Sequence, residues 1–461
     1  MQAPALVWVA SGRDTSCTPR GLSRTRKETH LYTPGRLFGE VESSSDILRH
    51  EPFLERARVQ REQAHDGSAR LALGAYVVAR LVDKLLLLSS NPDGIEAFRW
   101  QLEAVRRHVR DLPADAPETA HLAGIVATVP TRGPIEPGVW KGLIAYAYFL
   151  EHEARLEESL EILTLAARAQ DNRISAADFA AYALFSGRLN RQMARWAAAN
   201  RCYAAAEETA ASVGEAVSMF RSRLGRAIVH RGQGNYPAAR AIVEEVLREA
   251  TQLGLREVQA MGYAEAGVLY GLQGLRLESL EAYYSSFQLT DDPVERMRSL
   301  GDLALGLLEI GAYDVARIAF EIVTKSQARV LVRVNAALEL MSLEALVGNR
   351  VAFERWRAAV EEQRGSMSPS MAVDYNYKLG TGLAQFGQTR RAQIFLTTAL
   401  QLAEQHKLNA WYFKVDQAIG KLTQKAEAPA AESAPAALRN VAALREIEMG
   451  LREYALADAP L

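Results

Sequence analysis

Cysteine is nearly missing from this 461-residue chain, and proline is nearly missing from its middle. Two cysteines, Cys17 and Cys202, cannot supply a disulfide framework, so a reducing compartment is the simplest fit. Between Val139 and Gln424 the only prolines are Pro237, Pro293 and Pro369, each placed where a turn or a helix start tolerates the lost N–H. There is no long hydrophobic run either. The most apolar stretch, Leu71 to Leu88, carries Arg80, Asp83 and Lys84, which excludes a lipid-facing span. Met1 to Ala10 lacks a basic region and a long apolar run, so no signal peptide is expected and the location is read as cytoplasmic. A net charge of −1 gives no global field toward nucleic acid or anionic lipid.

Chemistry-bearing motifs are missing in the same way. Gly420-Lys421 lacks the upstream glycine of a phosphate loop, and His152-Glu153 has no second histidine at helical spacing. The eight histidines are scattered and neither cysteine has a ligand-like neighbour, so no metal and no cofactor are expected. No Gly-x-Ser-x-Gly occurs. The chain reads as non-catalytic.

What is there is a repeat. A small residue is followed, about twelve positions later, by another small residue and then by a large apolar one. Examples are Gly187…Ala199…Tyr203, Ala227…Ala239…Val243, Gly267…Ser279…Tyr283 and Gly380…Ala392…Leu396. The first small positions fall near 147, 187, 227, 267, 304, 341 and 380, a spacing of 37–40 residues that signals stacked helical units. Two helices approach closely only where a side chain at their crossing is small, and the large residue then fills the space toward the next unit. Gly234, Gly274, Gly311, Gly348 and Gly387 mark the turns inside each unit. Met341 stands where a small residue is usual, so that unit is the degenerate one.

Leu379-Gly380 with Ala392 and Ala399-Leu400, Gly267 with Tyr270, and Gly234-Asn235-Tyr236 with Ala239 resemble the tetratricopeptide repeat family in a long-unit variant. The resemblance implies an all-α fold, a right-handed α-α superhelix of this solenoid type, here with an N-terminal helical unit.

The expected organisation is a disordered basic tail over 1–45, a helical unit over 46–112 started by an Asp46 cap, and a proline-rich connector over 113–138. Six to seven repeats plus a capping helix occupy 139–422. In that capping helix, Trp411, Phe413 and Ile419 are read as the apolar side and Lys414 as polar. An Ala/Pro linker covers 423–437, flexible by composition, and a helix and tail cover 438–461, with Val441, Leu444, Glu448 and Leu451 near one face. The helix bearing Arg99, Arg106, Arg107 and Arg110 reads as a solvated amphipathic face, so no direct nucleic-acid contact is expected. No membrane contact is expected, and whether the stack self-associates is left open.

In the resembling family the first helices of successive repeats line a concave groove. Carried over by register, that groove holds Lys141 and Tyr148 beside Glu151, then Arg188, Arg191 and Gln192, then Arg221 and Arg231, then Met261, and lastly Tyr377. The expected function is a protein–protein interaction scaffold or adaptor that takes a partner peptide or helix in this groove. An acidic partner would be gripped by the arginines. The alternative is a regulatory sensor, linked to transcription, that responds to a signal peptide or small molecule. A third reading has the C-terminal helix folding back into the groove as an internal blocker.

Overall fold

The structure, a computed structural model, describes residues 50–62, 65–88, 94–131, 137–169, 175–364, 367–406, 408–424 and 442–457. The expected tail over 1–45, the Asp46 cap, Cys17, most of the Asn91–Gly94 turn, linker residues 425–437 and Val441 of the expected C-terminal helix lie outside them. Among the described residues there are twenty helices and no strand. None of these helices is long and apolar enough to cross a membrane. The helices fall into two compact units that divide between Gln233 and Gly234.

The unit through Gln233 begins with α1 (Glu51–Glu62), α2 (Asp66–Leu88), α3 (Ile95–Arg110) and α4 (Pro117–Thr128). The proline-rich stretch expected as a connector therefore carries a helix. Pro117 starts α4 at a position where no helical N–H is needed. Leu122, Ile125 and Val126 of α4 are buried in one core that runs from Phe53 to Ala206. That core includes α5 (Pro137–His152), α6 (Leu156–Ala169), α7 (Ala176–Gln192) and α8 (Trp196–Val213), with α9 (Ala216–Gly232) packed on α8.

The register of small and large residues is realised in atoms. The Tyr203 ring of α8 is wedged between Gly187 of α7 and Gly225 of α9. A Cβ would lie 2.8 Å from the ring at Gly187 and 2.5 Å from it at Gly225. At two second-helix positions serine replaces alanine and adds a bond. The Ser159 hydroxyl donates to the Ala147 carbonyl and the Ser279 hydroxyl to the Gly267 carbonyl, both at 2.7 Å. The turns after α5 and α7 contain no glycine. Ala154 and Ala194 adopt left-handed φ values of 58° and 56°, a strain of about 1–2 kcal/mol each that glycine would avoid.

His50, at φ 65°, closes a clasp at the start of α1. Its Nε2 lies 2.9 Å from Asp83 of α2 and its Nδ1 2.8 Å from Glu161 of α6. Arg168 of α6 and Arg80 of α2 also face Asp83, at 3.0 and 3.9 Å, and the edge of Tyr76 lies beside the imidazole. Burial pulls the imidazole pKa down, but the hydrogen bonds and charges of Asp83 and Glu161 outweigh it and raise it above 6.5. Burial would raise the Glu161 carboxyl, and His50 outweighs that to hold it below 4.5. A raised base stabilises the fold fully below 6.5, and this part is lost as pH climbs through the higher folded value. The lowered acid contributes above 4.5 and fades as pH falls through its lower folded value. Wild type should therefore exceed His50→Asn, which tolerates the left-handed backbone, by more degrees of Tm at pH 6 than at pH 9. Equal differences at the two pH values would mean the imidazole is uncharged in the clasp.

The unit from Gly234 contains α10 (Tyr236–Gln252), α11 (Arg256–Leu272), α12 (Arg276–Leu289), α13 (Pro293–Glu309), α14 (Tyr313–Lys325) and α15 (Val330–Leu346). It continues through α16 (Arg350–Glu361), α17 (Pro369–Gln385), α18 (Thr389–Gln405), α19 (Asn409–Gln424) and α20 (Ala442–Ala457). Consecutive helices pack as hairpins, α11 with α12, α13 with α14, α15 with α16 and α17 with α18, and α19 caps α18. Gly274, Gly311, Gly348 and Gly387 turn these hairpins at φ between 74° and 78°. The degenerate unit buries Met341 completely, and its Phe353 ring packs on Gly382 of the next unit instead of on a small residue at 341.

Two expectations for the C-terminal end change. In α19 the buried face is Trp411 and Val415, while Phe413 points to solvent at 70% exposure. In α20 the buried stripe is Leu444, Ile447 and Leu451. Glu448, expected to interrupt the apolar face, sits one position off it and pairs with Arg452 at 2.7 Å.

Candidate functional site

The first helices are α5, α7 and α9 in one unit, and α11, α13, α15, α17 and α19 in the other. In the unit through Gln233, Tyr148 of α5 stacks on Phe185 of α7 with ring centroids 4.1 Å apart. The Arg188 guanidinium lies 5.5 Å from the centre of Tyr148 and 4.9 Å from that of Phe185. Glu151 holds it there, accepting from Nε at 2.8 Å and Nη2 at 2.7 Å, and also accepts from Gln192 at 3.0 Å. Two expected groove residues, Arg188 and Gln192, thus meet at one carboxylate, and a third, Tyr148, lies beside the guanidinium.

The other expected groove positions on this unit are arranged differently. Arg191 turns toward α8 and donates to the Tyr203 hydroxyl at 3.4 Å. Lys141 and Arg221 are exposed and Arg231 is half-buried. Arg188 was expected to grip an acidic ligand, but its charge is already matched by Glu151, one repeat earlier in the chain. The bridge links neighbouring first helices, with Glu151 one turn further along α5 than the position equivalent to Arg188 on α7.

The row from Gly234 repeats this device and adds a second cation. Lys378 of α17 donates to Glu339 of α15 and to Asp374, both at 2.6 Å. Burial lowers its pKa, and the two carboxylates more than restore it, so Lys378 stays protonated. The other Asp374 oxygen is buried and has no hydrogen-bond partner among the described residues. Tyr377, an expected groove residue, lies edge-on to Trp411 of α19 with centroids 5.8 Å apart. Trp411 is fixed by its indole N–H donating to Ser370 at 3.1 Å.

Above this pair sits Lys414, its ammonium 4.6 Å from the Tyr377 ring centre and 4.5 Å from that of Trp411. Burial lowers its pKa and the like charge of Lys378 adds to this, with Asp374 and Glu339 opposing from a distance. Among the described residues Lys414 makes no hydrogen bond and no ion pair. On α13, burial pushes the Asp302 carboxyl up to about 7, with Arg298 opposing and Glu295 adding. Met261 of α11 is half-buried, but Val268, read as part of the same apolar groove lining, belongs to the core. Among the described residues no group of three or more His, Cys, Asp or Glu side chains is placed to hold a metal ion.

The register places Tyr377 on a first helix, whereas Lys414 reads from sequence as a polar residue of a capping helix. The available signal was its spacing of three from Trp411, which puts both on one face of α19.

No family model and no curated protein matches the chain. Solved structures do resemble it. The Rap conjugation gene regulator of plasmid pLS20, in complex with the Phr* peptide, overlays with a TM-score of 0.46 at 12% identity, covering 73% of this chain and 96% of that one. NprR in complex with its cognate peptide NprX gives 0.42 at 13% identity, over 77% and 97%. A tetratricopeptide repeat protein from Parabacteroides merdae gives 0.38 at 16% identity, over 62% and 99%. The likeness is loose. The all-α architecture of tetratricopeptide-like hairpins rests on this chain's own helices and register, and not on these overlays.

Proposed function

We propose that the chain is a non-catalytic scaffold that holds a peptide or helical segment of a protein partner against the first helices, with α17 and α19 supplying the anchor. The observation that carries this reading is Lys414. A half-buried ammonium, oriented by two aromatic rings and satisfied by no carboxylate in contact, is prepared to meet an anion brought by a ligand. Tyr377, partly exposed beside it, offers an apolar platform. The matching ligand carries a carboxylate next to a bulky apolar side chain. An acidic partner thus remains the proposal, but the acid-binding role moves from Arg188, which Glu151 neutralises, to Lys414.

A random peptide library selected on the immobilised full chain should enrich such acidic–apolar sequences. Lys414→Met, which keeps the aliphatic stem, should weaken the enriched peptides about 10- to 100-fold, the worth of one charge-assisted hydrogen bond. Lys84→Met, at an exposed position of α2 away from the first helices of the repeats, serves as the control and should change nothing. Selection of no peptide at all, or of peptides indifferent to Lys414→Met, would sink the proposal.

A further inference from the structure

The C-terminal helix α20 folds back onto the repeats, chiefly on the side of their second helices. It seats on α12 and α14, the second helices of two successive hairpins. Leu444, Ile447 and Leu451 enter the core formed by Leu280, Phe287, Val315 and Ala319 among others. Tyr454 meets the Phe287 ring edge-on at 5.4 Å. Gly450 rides directly over the Tyr284 hydroxyl, where any Cβ would collide. Apolar residues at i, i+3, i+7 and i+10, with glycine at i+6, are the pattern by which a separate amphipathic helix lies in a groove.

Nothing in the repeat register demands this helix. Hairpins α11–α12 and α13–α14 already satisfy the period, and α19 already caps the end of the stack. Seventeen residues, 425–441, separate α20 from α19. At about 3.3–3.6 Å per residue they allow it up to roughly 60 Å of reach. α20 is therefore attached as a tethered ligand would be.

We propose that the face of α12 and α14 is a helix-docking site, that α20 is its displaceable resident, and that a protein partner's amphipathic helix with the same spacing replaces it. The required chemistry is three or four large apolar residues on one stripe and a glycine where the helix crosses Tyr284. Because tethering presents α20 at a millimolar effective concentration, a partner with micromolar affinity engages only when α20 is released.

The test uses the full chain and a fluorescent synthetic peptide of residues 442–457. Two variants eject α20 without touching the repeats: Ile447→Asp with Leu451→Asp, and separately Gly450→Trp. Both should bind the wild-type peptide in the micromolar range, while the unaltered chain binds it roughly 100-fold more weakly because α20 competes at millimolar effective concentration. A peptide carrying Leu451→Asp should bind neither variant. Failure of both variants to bind, with far-UV circular dichroism showing their helices intact, would overturn the proposal. So would equal binding by wild type and variants. A wild-type chain that elutes as a dimer, and that the variants render monomeric, would make a second copy the occupant and overturn the displaceable cis arrangement.

Discussion

Glu118→Gln lowers the unfolding free energy of the unit through Gln233 by about 3–5 kcal/mol, the cost of stripping one partner from a buried charge network. Glu118 is 4% exposed and its carboxylate accepts from three residues: Arg56 through Nη2 at 3.0 Å and Nη1 at 3.4 Å, Arg155 Nη2 at 2.8 Å and the Tyr146 hydroxyl at 2.6 Å. Glu158 completes the cluster through Arg155 and through Arg56 Nε at 3.3 Å. Burial alone would raise the Glu118 carboxyl. The charges of Arg155 and Arg56, with hydrogen bonds from Arg155 and Tyr146, outweigh it and hold the pKa at about 2, down from 4.5. That difference corresponds to about 3 kcal/mol. Since the folded pKa is depressed, this stability is complete above pH 4.5 and is lost as pH falls toward 2. Urea unfolding at pH 7 should show the full deficit, and acidification to pH 3 should narrow it. A deficit under about 1 kcal/mol at pH 7 would mean that the network is not intact. Because α1, α4, α5 and α6 each contribute to it, the network also ties the helices before the repeats to the first hairpin.

The second large effect is at Tyr203. Tyr203→Ala should cost about 3–5 kcal/mol, since it empties the space that two glycine-bearing helices leave for one ring. Gly225→Leu should cost about 1–3 kcal/mol by overpacking the same space, because even a Cβ there would lie 2.5 Å from the ring. The double variant should cost clearly less than the two single losses added together, with a coupling of about 0.5–3 kcal/mol. Strict additivity in urea unfolding would show that Tyr203 and Gly225 do not share one cavity. In that case the small-to-large register would not be what joins α7, α8 and α9.

The period carried much of this. Gly187, Tyr203, Gly267, Tyr283, Gly380 and Leu396 are where the register places them, because one spacing rule governs both backbone approach and the residue that fills it. Gly225 escaped because it lies two positions before the small residue of its own repeat and serves the previous one. The turns at Ala154 and Ala194 were hidden because alanine bears a conformation usually signalled by glycine. α4 was obscured by flanking prolines that mark its edges and not its interior. Tyr148, Arg188, Gln192 and Tyr377 lie on first helices, as the register expects, and their part in a partner site is the proposal made above. Their electrostatics were not legible in the sequence, since whether a cation is free depends on the neighbour one repeat away. Arg188 meets Glu151 and Lys378 meets Glu339, whereas Lys414 meets only rings. The seat of α20 was beyond any periodic reading, because a tethered helix docks by shape and not by register.

In the proposed function the first helices, centred on α17 and α19, are the surface that takes a partner. Hydrogen–deuterium exchange of the full chain with and without a library-selected acidic–apolar peptide tests it most directly. Exchange should slow in α17 and α19 around Tyr377, Trp411 and Lys414, with α16 and α18 unchanged on their far sides. Protection confined to α12 and α14, or to no first helix, would contradict it.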